Sequence, residues 1–85
     1  MNDTRVYTTN NIDQSAFLDA NGHKPEVHKG AGDQQATFTF IRTPQLLDLI
    51  EEYSSGSAMI SAHALLSARR RLFHRVRDLE RGGRP

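Results

Sequence analysis

The chain has 85 residues, a formal net charge of +1 and no cysteine. This length allows one domain, which we assign to residues 1–85, with an ordered core at 5–80 between a polar N-terminus and a flexible Gly82–Pro85 tail. It excludes a cleft between domains, and the lack of cysteine excludes disulfides and thiolate zinc sites. No apolar run approaches the roughly 18 residues of a membrane span, and the start lacks a signal-peptide pattern, so we expect a cytoplasmic protein.

The first half of the chain predicts a strand, a short helix and a β-hairpin. Residues 5–9 are rich in β-branched and aromatic side chains, which is typical of a strand. The apolar spacing over 12–20 indicates a helix that is capped by one of the two preceding asparagines and ended by Gly22. Residues 23–42 predict a hairpin with a glycine-rich turn at 29–33.

The clearest strand covers residues 36–42. Phe38 and Phe40 share one face, and Thr37 and Thr39 share the other, which is the pattern of a sheet buried on one side. We therefore expect both phenylalanines to be buried under helices. The proline in the preceding strand indicates an edge position, because proline cannot donate a ladder hydrogen bond.

Two helices complete the chain. Thr43 followed by Pro44 indicates a helix start, with a hydroxyl N-cap and a proline at the first helical position. A run of serine and glycine ends this helix, and the last helix begins near residues 59–61 and continues to about Glu80. The order β-α-β-β-α-α predicts an α+β fold, in which helices pack on one face of a small, mainly antiparallel sheet.

Charge is unevenly distributed over these two helices. Residues 43–56 carry three acidic side chains and no basic one, whereas residues 67–85 carry seven arginines against two acidic residues. The near-neutral total therefore conceals an acidic segment followed by a basic one.

A helical wheel of the last helix places a row of basic side chains beside its apolar face. This row, the basic stripe, consists of His63, Arg70, His74, Arg77 and Arg81. It is about 27 Å long at 1.5 Å per residue, and the planar guanidinium of arginine suits bidentate contacts with phosphate. We therefore expect a non-enzymatic module that binds nucleic-acid phosphates through this stripe.

Other interpretations of the basic stripe stay open. Cations near a helix C-terminus interact favourably with the helix dipole, and a charged helix face is ordinarily a solvated one. An acidic protein is an alternative partner, which would make the chain an accessory or inhibitor protein. A structural homodimer is a further alternative, because the apolar arc from Ala62 to Leu79 is wider than a small domain can cover.

Arg69 falls within that apolar arc of the last helix. A buried arginine requires a partner, and the preceding helix offers the carboxylates of Asp48, Glu51 and Glu52. We expect an ion pair that joins the last two helices. Alternatively, this face is incompletely covered and meets another subunit.

No catalytic, cofactor or metal site is predicted. His23 and His28, on either side of Glu26, have opposite parity in a strand and therefore point to opposite faces. No spacing brings together a nucleophile, a base and an orienting acid, and the glycines at 30 and 32 lack the spacing of a phosphate-binding loop. We expect neither enzymatic activity nor a cofactor.

Three short motifs carry a resemblance to a known family: Tyr7-Thr8-Thr9, Phe38-Thr39-Phe40, and Thr43 with Leu46-Leu47. The chain resembles a small domain-of-unknown-function family of bacteria, phages and integrated elements, which also has a small-residue loop and a long closing helix. An asparagine follows Thr9 where the family pattern has an aspartate. The resemblance implies a phage or mobile-element context and supplies no functional residue.

Overall fold

The computed structural model of the protein describes residues 5–30 and 35–82. Its elements are β1 (Val6–Thr9), α1 (Ile12–Ala20), β2 (Glu26–His28), β3 (Thr37–Ile41), α2 (Pro44–Ser55) and α3 (Ala62–Gly82). The predicted α+β class and element order are confirmed. Most of the predicted turn at 29–33 and the end of the predicted tail lie outside the described residues.

β3 is the central strand of the sheet and pairs in antiparallel fashion with both β1 and β2. Phe40 lies opposite Tyr7, and Phe38 lies between Thr9 and Val27. Side chains alternate along a strand, so these residues share the face that the helices cover. Phe38 and Phe40 are 2% and 1% exposed, which confirms the prediction that both are buried.

The opposite face of the sheet is open to solvent. Val6 and Ile41 are cross-strand neighbours on this face, and both side chains are exposed. Beside them, the hydroxyl oxygens of Thr8 and Thr39 lie 3.2 Å apart within hydrogen-bonding distance. Helices therefore cover one face of the sheet, as the alternation in β3 predicts.

Each helix begins at a residue whose side chain accepts a hydrogen bond from the backbone. The side-chain oxygens of Asn11, Thr43 and Ser61 accept from amides three residues further along, at 3.0, 3.1 and 3.0 Å. Gly22 and Gly56 follow α1 and α2 with left-handed φ angles of 97° and 83°. These local signals fix the helix boundaries, because the capping residues satisfy amides that the helix leaves unpaired.

α1 is the central helix of the layer. It packs against both α2 and α3, whereas α2 and α3 have no comparable contact with each other. Ala16, Phe17 and Leu18 of α1 are buried in the core, and the ring of Phe17 lies 5.7 Å from the ring of Tyr53 in α2. The acidic helix and the basic helix are therefore held on either side of α1.

Candidate binding surface on the last helix

The buried side of α3 is narrower than the apolar arc of the helix. Ala68 and Leu72 are fully buried, and the neighbouring positions at helical spacing are partly buried against the core: Leu65, Val76 and Leu79. Leu66 and Phe73, which the predicted apolar arc includes, are 57% and 44% exposed. They are exposed because α1 and β2 cover only one side of the helix, which agrees with an apolar arc wider than a small domain can cover.

Arg71 points away from the basic stripe and binds a buried carboxylate. Its Nη2 donates to Oδ2 of Asp19 at 2.8 Å, and Asp19 on α1 is only 4% exposed. Nζ of Lys24 lies 3.1 Å from the other oxygen of the same carboxylate. Two cations thus compensate a charge that would be costly to bury alone.

Arg75 also makes a contact within the chain. Its Nη1 donates a hydrogen bond of 3.0 Å to the carbonyl oxygen of Pro25, immediately before β2. This contact joins α3 to the edge of the sheet. It also gives the carbonyl group of Pro25, a buried residue, a hydrogen-bond donor.

Arg69 forms an ion pair, but the partner predicted from the sequence is wrong. Its Nε donates to Oδ1 of Asp13 on α1 at 2.6 Å, and both side chains are partly exposed. The guanidinium carbon also lies 5.0 Å from the centroid of the Phe73 ring, which is a cation–π distance. The predicted pairing with α2 fails because α1 is the helix that packs beside α3.

The basic stripe lies on the solvent side of α3. His63, Arg70, His74 and Arg77 are all exposed. Within residues 5–30 and 35–82, none of these four side chains has a hydrogen-bond or ion-pair partner. The fifth member, Arg81, belongs to α3, but its side chain lies outside the described part of the structure.

The two exposed apolar residues of α3, Leu66 and Phe73, lie between the stripe and the buried side, and we term them the apolar margin. Phe73 lines shallow depressions on the surface beside the helix, two of which also contain stripe residues. One is lined by Leu66, Phe73, Arg69 and Arg70, and the other by Phe73, His74, Val76, Arg77 and Glu80. The width of the apolar arc indicated incomplete coverage, but it did not identify these two residues, because the exposure of an apolar residue depends on which neighbour covers it. The candidate surface is therefore an apolar margin bordered by arginines.

Candidate metal sites and membrane-spanning helices are absent from the part of the chain that the structure describes. No group of three histidine or carboxylate side chains there could hold a metal ion. Nε2 of His28 lies 3.4 Å from Oε1 of Glu26, and both side chains are well exposed. None of the described helices is both long and apolar enough to span a bilayer.

The fold and the surface together define a small α+β domain with an exposed basic helix. The model of a family described as a domain of unknown function, DUF5659, matches residues 4–77. The chain therefore belongs to this family, in agreement with the expected resemblance to a family of unknown function. No curated protein and no solved structure matches the chain. The matched region contains every member of the basic stripe except Arg81.

Proposed function

We propose that the protein is a non-enzymatic nucleic-acid-binding module that contacts phosphates through the basic stripe. The division of roles among the arginines of α3 supports this proposal. Those that face the rest of the molecule, Arg69, Arg71 and Arg75, each contact a carboxylate or carbonyl oxygen of the chain. Arg70 and Arg77 face solvent with no partner among the described residues.

The arrangement of the unpaired arginines suits a repeating anionic ligand. Arg70 and Arg77 are two helical turns apart on one side of α3, which is about 10 Å along the axis. His63 and His74 extend the same row, and a histidine N–H can donate to a phosphate oxygen. A ligand with regularly spaced phosphates would meet several donors at once and release its condensed counterions.

The biological setting forms part of the proposal. The resemblance of the sequence motifs to a family found in phages and integrated elements supports a mobile-element context. Action in the cytoplasm is consistent with such a role, since nucleic acid is available there. The alternative with a different partner is an acidic protein that docks on the same arginines.

The proposal predicts a loss of affinity and of salt dependence when stripe arginines are removed. Arg70→Ala and Arg77→Ala should each weaken binding to random-sequence duplex, whatever the sequence. Each lost phosphate contact should reduce the slope of log affinity against log salt concentration by about 0.9. Fluorescence anisotropy with a labelled duplex at several salt concentrations measures both effects.

Arg5→Ala is the matched control for these variants. Arg5 is an exposed arginine immediately before β1, so its removal changes net charge equally without touching α3. An equal loss of affinity in this control would show that net charge, not the stripe, drives binding. If the wild-type chain binds neither duplex nor single strands at low salt, the proposal fails and the acidic-protein alternative replaces it.

A further inference from the structure

A second charged surface also lacks a partner among the residues that the structure describes. Asp48, Glu51 and Glu52 of α2 form an acidic face on the side opposite Leu46, which is fully buried. Within residues 5–30 and 35–82, none of their carboxylates has an ion-pair or hydrogen-bond partner. These are the carboxylates that were expected to pair with Arg69, which instead pairs with Asp13 of α1.

The acidic face and the basic stripe have matching layouts. Leu47, which is 40% exposed, lies beside Glu51 on α2, in the way that the apolar margin lies beside the arginines of α3. Each helix thus presents a row of one charge next to exposed apolar surface. α1 separates the two helices, so the acidic face cannot reach the basic stripe of its own chain.

We propose that the acidic face of one copy docks on the basic stripe of a second copy, with Leu47 packed against the apolar margin. Charge complementarity selects this occupant, because both halves of the interface are on the same chain and their described side chains have no partner among the described residues. Burial of the apolar residues would favour association, and the charges would set its orientation. This inference goes beyond nucleic-acid binding and does not depend on it.

A symmetric pairing of two α3 helices is disfavoured by the same charges. It would bring Arg70 and Arg77 of one copy against the same arginines of the other, and like charges in a contact oppose association. The proposed interface instead joins two different surfaces. It therefore forms a reciprocal dimer if the geometry closes, or an open chain of copies if it does not.

Sedimentation at low salt, without nucleic acid, tests the proposal with two double variants. Arg70→Glu with Arg77→Glu disrupts the stripe and keeps the acidic face, whereas Asp48→Arg with Glu51→Arg disrupts the acidic face and keeps the stripe. Each variant alone should sediment as a monomer of 9.6 kDa. An equimolar mixture should form a one-to-one complex, because it restores one intact interface between the unchanged surfaces.

Three results would overturn the proposal: a monomeric wild-type chain, a mixture that stays monomeric, or self-association that survives in the α2 variant. The last result would indicate symmetric pairing through α3. All four substituted side chains are exposed and have no partner in the part of the chain that the structure describes, so thermal melts should match the wild type and exclude misfolding. Arg5→Glu is the control for charge reversal elsewhere, and it should leave self-association unchanged.

Discussion

At the scale of single residues, Arg70 and Arg71 are chain neighbours with different environments. One step along a helix turns a side chain by about 100°, so Arg70 faces solvent while Arg71 reaches Asp19. Asp19 is buried, and its carboxylate depends on Arg71 and Lys24 for compensation. Arg71 therefore stabilises the fold, whereas Arg70 belongs to the surface.

Arg71→Ala should lower the free energy of unfolding by about 1–3 kcal/mol, because it leaves a buried acceptor with one of its two cations. Arg70→Ala is the matched control and should change stability by less than about 0.5 kcal/mol, since no contact is lost. Urea denaturation of both variants measures the difference. Equal stabilities would contradict the assignment of Arg71 to the fold and of Arg70 to the surface.

At the scale of the element, β3 holds the sheet to the helical layer. Phe40→Ala should lower the free energy of unfolding by about 3–5 kcal/mol, because the truncation leaves a cavity under the helices. That loss is a large share of the stability of a small domain. Ile41→Ala on the open face is the control and should have little effect, because this side chain is 72% exposed. A thermal melt of Phe40→Ala close to that of the wild type would contradict the core position.

The strands and helix boundaries could be predicted because their signals are local. Alternation of Phe and Thr in β3 specifies which side is buried, and a capping side chain reaches an amide only three residues away. The sequence around Thr43 and Pro44 thus contains nearly everything that determines where α2 begins. The order of strands in the sheet is a longer-range property, and the sequence predicted only its mainly antiparallel character.

The details of the candidate surface could not be predicted in the same way. Leu66 and Leu72 are the same residue type on one helix, yet one is exposed and the other buried. The difference depends on the position of α1 relative to α3, which no pattern within α3 records. The partner of Arg69 was predicted wrongly for the same reason. Chain order suggested a carboxylate of α2, whereas the packing of α1 beside α3 provides Asp13. Exposure of Arg70 and Arg77 followed from helical periodicity alone.

At the scale of the whole molecule, a nearly neutral chain has two separated regions of opposite charge. The net charge of +1 does not indicate this separation, because the negative charges of the acidic face of α2 offset the positive charges of the basic stripe of α3. α1 lies between the two helices and binds Arg69 and Arg71 through its own carboxylates. The fold thereby leaves the outward-facing charges of α2 and α3 available to other molecules.

The two proposals together predict competition for the stripe, because phosphates and the acidic face of a second copy would bind the same arginines. The Arg70→Glu, Arg77→Glu variant keeps the acidic face but reverses two of the three stripe arginines, so it should bind wild-type chains while binding duplex far more weakly. Added in excess, it should therefore release a labelled duplex from the wild-type protein, with a fall in anisotropy. The same variant carrying Asp48→Arg and Glu51→Arg lacks the acidic face as well and should release none. A complex that contains duplex, wild type and variant together would show that the two ligands occupy different surfaces.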